Sequence, residues 1–327
     1  MAGRVTIKSI AKDLGISHMT VSRALSNHPN VLKETREAVQ KRAQELGYVK
    51  SAAAMAMRGG GTKIVGLLLP NIVNEFYARF ANTMALACEE HSYQLLIHLT
   101  NDDLKAESLA LEGLREIQAE AVVMVPAPGG TESTSTHLDG MRVIQLIRQR
   151  KEKDPASAIL VDDAPAIREA VQHLADKGHR RIAYIGADSA LSSGRSRLAS
   201  FRQGLAQAKL PEETNLIQTG VPSFEMGREY TAEILQQKQA TALVCGGFEI
   251  SNGALNAFMD ASEQSAPQMS FVGYGDPSFY SWINGGISTI RVPVDRLARK
   301  AVDILVASQT NGPSNPLTFE AQLVVRK

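Results

Sequence analysis

The sequence has few of the features that mark secreted, membrane-spanning or metal-binding proteins. Its 327 residues include two cysteines, Cys88 and Cys245, which lie far apart and outside any metal-ligand spacing. We interpret both as buried thiols of a protein that works in a reducing cytosol. No apolar run is long enough to span a bilayer, and the first residues lack the apolar stretch of a signal peptide. These absences predict a cytoplasmic protein that does not contact a membrane.

Motifs of the common enzyme classes are also missing. The sequence contains no P-loop, no G-x-G-x-x-G after the first predicted strand, no H-E-x-x-H and no G-x-S-x-G elbow. Its many aspartates and glutamates do not form a convincing pair for acid–base chemistry. We therefore expect no enzymatic activity, no bound cofactor and no metal.

The charge that is present is unevenly distributed. The chain has a net charge of +1, and 44% of its residues are hydrophobic, which is enough for a sizeable core. Residues 1–60 contain ten lysines and arginines but four aspartates and glutamates, so they carry +6 and the remainder carries −5. A small basic segment attached to a mildly acidic body predicts a phosphate-binding module. A solvated charged face is the alternative.

The first 47 residues have the pattern of three short helices. Apolar side chains recur at helical spacing over 7–14, 17–25 and 33–46. Thr6 and Ser17 are placed to cap the first two helices, and Gly15 to end the first with a left-handed backbone. Two helices joined by such a tight turn predict a helix-turn-helix, whose second helix enters the major groove of DNA. Its exposed positions are His18, Met19, Ser22 and Arg23.

From Lys63 onward the pattern changes to alternating strands and helices. Apolar runs predict strands at 64–69, 95–99, 121–125, 143–147, 182–185, 242–245 and 271–274. Amphipathic stretches predict helices near 76–91, 103–118, 164–177, 196–208, 224–237, 251–264 and 293–307. Regular β-α alternation favours parallel, doubly wound sheets. About 265 residues are too many for one ordinary sheet, so we expect two lobes.

Several segments resemble the LacI/GalR repressor family. The resemblance is carried by VTIKSIA at 5–11, GISHMTVSRALSN at 15–27, LGY at 46–48 and GHRRIAYIG at 178–186. It implies an all-α helix-turn-helix head followed by an α/β periplasmic-binding-protein-like body of two doubly wound parallel-sheet lobes. The implied domains are a DNA-binding domain at 1–49, a hinge helix and linker at 50–61, and an effector-binding and dimerisation domain at 62–327. Within the last, the N-lobe would span 62–161 plus 292–327 and the C-lobe 162–291.

By this resemblance, the head contacts double-stranded, pseudo-palindromic operator DNA. His18, Met19 and Arg23 would read base edges, with Arg23 making paired hydrogen bonds to a guanine. Met57 stands where the family wedges an apolar side chain into the central minor groove, although plain core packing is an alternative. The side chains expected to hold phosphates are Thr6, Ser17, Thr20 and Ser22.

The resemblance also implies a small carbohydrate-like effector in the cleft between the lobes. Arg197 matches the family's effector-holding arginine. Gly247 and Gly275 replace polar or acidic residues of relatives, and Arg148 stands where an aspartate is common. This exchange predicts an anionic effector, such as a sugar acid of the gluconate or ketogluconate type or a sugar phosphate. The apolar cleft walls, which are equally well read as core residues, would come from Phe76, Tyr77, Phe224 and Trp282.

The sequence therefore predicts a homodimeric transcription repressor whose operator affinity depends on its effector. The effector is an inducer in most of the family, and a co-repressor is the alternative. The chain ends directly after its last strand, without the C-terminal heptad segment that makes tetramers in one relative, which favours dimers. A secreted sugar-binding protein would share the body, but it would carry a signal peptide and lack the basic head.

Overall fold

A computed structural model describes residues 5–48, 61–129, 140–150, 157–261, 269–307 and 316–326. The chain divides into two compact units, residues 1–62 and 63–327, which are described separately. The predicted boundary at 61/62 lies one residue from this division, whereas the boundary at 49/50 falls inside the first unit. The predicted hinge helix and its Met57 lie outside the described residues.

The first unit contains three helices, α1 (Ile7–Leu14), α2 (His18–Leu25) and α3 (Lys33–Glu45). Ile10, Val21 and Val39, one from each helix, are fully buried together. Thr6 and Ser17 cap α1 and α2 as their sequence positions indicate. Gly15 ends α1 with a φ of 65°, a left-handed conformation that is cheap for glycine. The helix-turn-helix prediction is therefore confirmed in its helices and its turn.

The second unit is built from two six-stranded sheets with helices around them. The strands are β1 (Ile64–Leu69), β2 (Gln94–Leu99), β3 (Ala121–Met124), β4 (Arg142–Leu146), β5 (Ser157–Asp162), β6 (Ile182–Ala187), β7 (Ile217–Gly220), β8 (Ala242–Gly246), β9 (Ser270–Tyr274), β10 (Ser288–Arg291), β11 (Leu317–Glu320) and β12 (Gln322–Val324). The helices are α4 (Glu75–Glu90), α5 (Leu104–Glu116), α6 (Ala164–Asp176), α7 (Ser192–Gln207), α8 (Phe224–Gln237), α9 (Phe248–Asp260) and α10 (Val294–Val306).

The two sheets form the two predicted lobes. The first has the strand order β11-β5-β4-β3-β1-β2 and the second β12-β10-β9-β8-β6-β7. Their pairings are parallel except for β12, which runs antiparallel to β10. The chain passes from one sheet to the other after β5, after β10 and at Ala321. The fold class predicted from the sequence is confirmed.

The structure corrects several boundaries. Residues 322–324 form β12 of the second sheet, so the segment 292–327 does not belong entirely to the N-lobe. Strand β4 ends at Leu146 rather than 147, because Ile147 has a φ of 63° and leaves the extended region. Helix α7 begins at Ser192 rather than near 196, where a polar first turn hides the helical periodicity. Helix α9 begins at Phe248 rather than near 251.

Helices α8 and α9 approach each other closely at two glycines. A Cβ on Gly253 would lie 1.9 Å from the carbonyl oxygen of Phe224, and one on Gly227 would lie 2.0 Å from that of Ile250. Because both neighbours are backbone atoms, Gly253→Ala has to force the helices apart. We expect the free energy of unfolding to fall by about 1–3 kcal/mol, as measured by urea denaturation of the full chain.

Gly113→Ala is the matched control for this prediction. Gly113 lies within α5, where a new Cβ would have no neighbour within 4 Å. Alanine is favoured over glycine in a helix by roughly 0.5–1 kcal/mol, so this variant should unfold at the same or a slightly higher urea concentration. Equal stability of the two variants would contradict the close approach of α8 and α9.

Candidate functional site

The outward face of α2 carries the side chains expected to read DNA. Val21 and Ala24 are fully buried against the other two helices, which fixes the opposite face toward solvent. His18, Met19 and Arg23 are exposed on that face, and Ser22 is half-buried. Within the described part of the chain, Arg23 has neither a hydrogen-bonding nor an ion-pair partner for its guanidinium. The helix therefore presents the guanidinium of Arg23 with its N–H donors available. A guanidinium is well suited to pair with a guanine edge or a phosphate.

The hydroxyl side chains near this face lie at helix amino termini. Ser17 Oγ accepts from the backbone N–H of Thr20 at 3.0 Å and lies 2.9 Å from Thr20 Oγ1. Thr6 and Ser9 form a reciprocal capping box at the start of α1. Helix amino termini attract phosphates through their free N–H groups and the helix dipole. The structure thus brings Ser17 and Thr20 together beside the outward face of α2, while Thr6 is at the start of the neighbouring helix.

A cleft lies where the carboxyl ends of the parallel strands of the two sheets meet. It is open to solvent on one side and is bounded by residues that follow β1, β2, β4, β6, β8 and β10. Ligands of open α/β folds bind at this end of the strands. Within the described residues, no group of three His, Cys, Asp or Glu is arranged to hold a metal ion, and no helix is long and apolar enough to cross a membrane.

Arg197 projects into the cleft from α7 and is held from behind by Asp163. Its Nε donates to Asp163 Oδ2 at 2.6 Å, and its Nη1 donates to the carbonyl oxygen of Gly246 at 3.0 Å. The guanidinium also lies 4.1 Å from the centre of the Tyr274 ring. Burial raises the pKa of the Tyr274 phenol well above its ordinary value, so the hydroxyl stays protonated and donates to Asp163 at 2.6 Å.

Arg148 also lines the cleft, but its charge is already neutralised. The side chain is 92% buried and forms a two-pronged ion pair with Asp102, in which Nη2 donates to Oδ2 at 3.2 Å. Asp102 follows β2, and Arg148 follows β4, so the pair joins two connections of the first lobe whose strands are separated by β1 and β3. The sequence prediction counted Arg148 as an added positive charge. The partner that cancels this charge lies 46 residues away along the chain.

Glu249 is the remaining charged residue of the cleft lining. It lies in the first turn of α9, and among the described residues no cation lies within ion-pair distance of its carboxylate. Desolvation raises the pKa of Glu249, and hydrogen bonds from Asn71 and Asn74 oppose the rise. Both amides belong to the segment between β1 and α4, and they line the cleft together with Glu249.

The structure places the other predicted cleft residues in two groups. Phe76, Tyr77 and Gly247 line the cleft with Arg148 and Arg197. Phe224, Gly275 and Trp282 are not among its lining residues: Gly275 lies beneath the ring of Phe248, Phe224 is 37% exposed at the start of α8, and Trp282 is 70% exposed in the connection from β9 to β10.

The sequence prediction did not include the carboxylates and amides of the cleft. Asp102, Asp163 and Glu249 all stand just after strands, at the end of the sheet where ligands bind. Asp163 follows β5, which was not predicted because it begins after a charged stretch and has a short apolar run. The place of Glu249 could have been predicted from the sequence, because β8 was predicted to end at Cys245 and Glu249 follows shortly after it.

Comparison with known proteins identifies the same two parts. Residues 6–51 match a family model for bacterial regulatory proteins of the lacI family, and residues 171–327 match one for a periplasmic binding protein-like domain. The HTH-type transcriptional regulator GalR of Escherichia coli (strain K12) is 27% identical over 332 residues, covering 98% of this chain and 94% of its own length.

Solved structures of similar fold extend over nearly the whole chain. The lac repressor dimer bound to operator and the anti-inducer ONPF has a TM-score of 0.83 at 20% identity and covers 99% of both chains. A complex of the transcriptional regulator CelR with cellobiose has a TM-score of 0.71 at 22% identity, also with 99% coverage of both. With its helix-turn-helix head and its two-lobed body, the chain is similar over nearly its whole length to bacterial regulatory proteins of the lacI family.

Proposed function

We propose that the protein is a transcription repressor that binds a specific operator, with an affinity set by a small sugar-like effector in the cleft. The exposed, unpaired Arg23 on the outward face of α2 is the observation that carries the DNA-binding part. The cleft with its buried, oriented Arg197 supports the effector part. The relatives are named as regulators, so the role proposed for the cleft is ligand binding without turnover.

In this proposal α2 lies in the major groove. His18, Met19 and Arg23 contact base edges, and Thr6, Ser17, Thr20 and Ser22 hold the phosphates that set the register. Met57 remains the proposed minor-groove wedge of the hinge segment. The pseudo-palindromic operator follows from a homodimer that presents two heads, each reading one half-site.

Arg23→Ala is expected to weaken operator binding by about 1–3 kcal/mol and to relax the preference at one base pair of each half-site. The operator is first selected from random duplexes with the full-length protein, and affinities are then measured by fluorescence anisotropy on single-base variants. Lys33→Ala is the control, because the Lys33 side chain is 86% exposed on α3. A uniform loss of affinity for all sequences would reassign Arg23 to a phosphate.

The homodimer is supported by an apolar surface at the edge of the first sheet. Strand β2 is the last strand of that sheet, and Ile97 and Leu99 are 45% and 48% exposed on it. Leu86, 53% exposed on α4, adds to the apolar surface of this lobe. An edge strand with apolar side chains and unpaired backbone groups is prone to pair with another copy of the chain. The similar lac repressor was solved as a dimer.

The effector is proposed to be sugar-like because the cleft combines aromatic walls with a few oriented polar groups. The CelR complex with cellobiose, a sugar, has the same fold. The anionic effector predicted from the sequence loses its main support here, since Asp102 and Asp163 neutralise Arg148 and Arg197.

The direction of the coupling between effector and operator is proposed to be that of an inducer, with a co-repressor as the alternative. Because binding at two coupled sites is reciprocal, an inducer must bind free repressor more tightly than operator-bound repressor. Titration of the effector against the repressor, with and without operator, decides between the two.

A further inference from the structure

Among the described residues, one carboxylate of the cleft has no ion-pair partner. Among the described residues, the charged side chains that line it are Asp102, Arg148, Arg197 and Glu249. Arg148 is neutralised by Asp102, and Arg197 by Asp163, which lies behind it. Counting Asp163, three carboxylates face two guanidinium groups. The surplus negative charge is on Glu249.

Among the described residues, the side chains that line the cleft beside Glu249 include two amides, and no cation forms an ion pair with its carboxylate. The amide oxygen of Asn71 accepts from the backbone N–H of Asn74 at 2.9 Å, and that of Asn74 accepts from the N–H of Phe76 at 3.0 Å. Both amide oxygens therefore accept backbone hydrogen bonds, which leaves the NH₂ groups as the donors of these side chains. The other charged groups that act on Glu249 are the carboxylates of Glu225 and Asp102, which are repulsive.

We infer that the effector carries a protonated amine, as an amino sugar does, and that Glu249 binds this ammonium group. The inference rests on the proposed role of the cleft as the effector site. Glu249 lines the cleft beside Asn71 and Asn74, and it determines specificity for the cationic group.

Desolvation is the physical reason for a cationic ligand. A ligand that fills the cleft removes water from Glu249, and a buried carboxylate without a cation is costly. An ammonium group supplies the missing charge and up to three N–H donors. Aromatic rings line the same space: Phe76 and Phe248 lie 5.4 Å apart, centre to centre, and such rings attract cations. An anionic group would instead meet the repulsion of Glu249.

Calorimetry with matched sugars on the full-length protein tests this inference. Glucose, galactose and mannose are each compared with their 2-amino sugar, the N-acetylated amino sugar and the aldonate. We expect at least one amino sugar to bind at least about tenfold more tightly than its N-acetylated, parent and aldonate forms. Tighter binding of any aldonate or uncharged form, or no binding by any amino sugar, overturns the inference.

Glu249→Gln tests the residue, because it keeps the size and removes the charge. We expect it to reduce the preference for the amino sugar over the parent sugar by about tenfold or more. Glu229→Gln on α8, where the side chain is 70% exposed, should leave the preference unchanged. An unchanged preference in Glu249→Gln overturns the assignment. Operator selection by the same preparations separates the two proposals: a protein that selects a palindrome but prefers aldonates refutes this inference alone.

Discussion

Asp163→Ala is expected to lower the free energy of unfolding by about 3–5 kcal/mol, because it leaves the buried guanidinium of Arg197 without its counter-charge. Asp163 is 4% exposed, and one of its oxygens accepts from both Arg197 and the hydroxyl of Tyr274. Removing the carboxylate leaves two largely buried donors, the Nε of Arg197 and the hydroxyl of Tyr274, without this acceptor. Such a loss is a large part of the stability of an ordinary protein, roughly 5–15 kcal/mol.

Urea denaturation of the full chain, followed by circular dichroism, measures this loss. Asp162→Ala is the matched control: Asp162 is the preceding residue, it is half-buried, and its carboxylate has no hydrogen-bonding partner among the described residues. We expect the control to stay within about 1 kcal/mol of the wild type. Similar losses in both variants would show that the local strand, and not the pairing with Arg197, accounts for the effect.

The same substitution should also weaken effector binding, since Asp163 orients the guanidinium. Asp163→Asn separates orientation from charge, because the amide oxygen still accepts from Arg197. Its loss of stability should be smaller than that of Asp163→Ala, because the donors keep an acceptor. Equal losses for the asparagine and alanine variants would indicate that the negative charge alone is required.

The head was predictable from the sequence in detail because its signals are local. Capping residues, the left-handed Gly15 and the apolar positions of α1 and α2 all lie within a few residues of the structure that they specify. The order of strands and helices in the body was predictable for the same reason. Continuous apolar runs such as β1 identified the buried strands, whereas β5, β7, β10, β11 and β12 have short apolar runs and were not predicted.

The charge balance of the cleft was not predictable, because it depends on pairs that are distant in sequence. Asp102 meets Arg148 across 46 residues, and Asp163 meets Arg197 across 34. Each pair forms because the carboxyl ends of the strands come together, and the register of two sheets decides which side chains meet. The sequence analysis counted Arg148 as an added positive charge in the cleft. The fold adds the carboxylate that cancels it, and the argument from Arg148 for an anionic effector no longer holds.

Ile97→Asp is expected to raise the dissociation constant of the proposed homodimer by on the order of a hundredfold or more. In a two-fold interface each substitution occurs twice, so two carboxylates would lose water at the edge of the first sheet without a cation to pair with. Ile97 is fourth among the six residues of β2, whose outer edge has no neighbouring strand in the described chain. Analytical ultracentrifugation measures the constant directly.

Ile117→Asp is the control, since Ile117 is 41% exposed just after α5 and receives the same new charge. We expect this variant to remain dimeric. Ile97→Asp should also lower the affinity for the full operator as the dimer is lost, because a monomer presents one head and cannot bind the second half-site. Binding to a single half-site should be unaffected, since the head itself is intact. If Ile97→Asp remains a dimer with full operator affinity, the edge of β2 is not the interface and the two heads are joined through another surface.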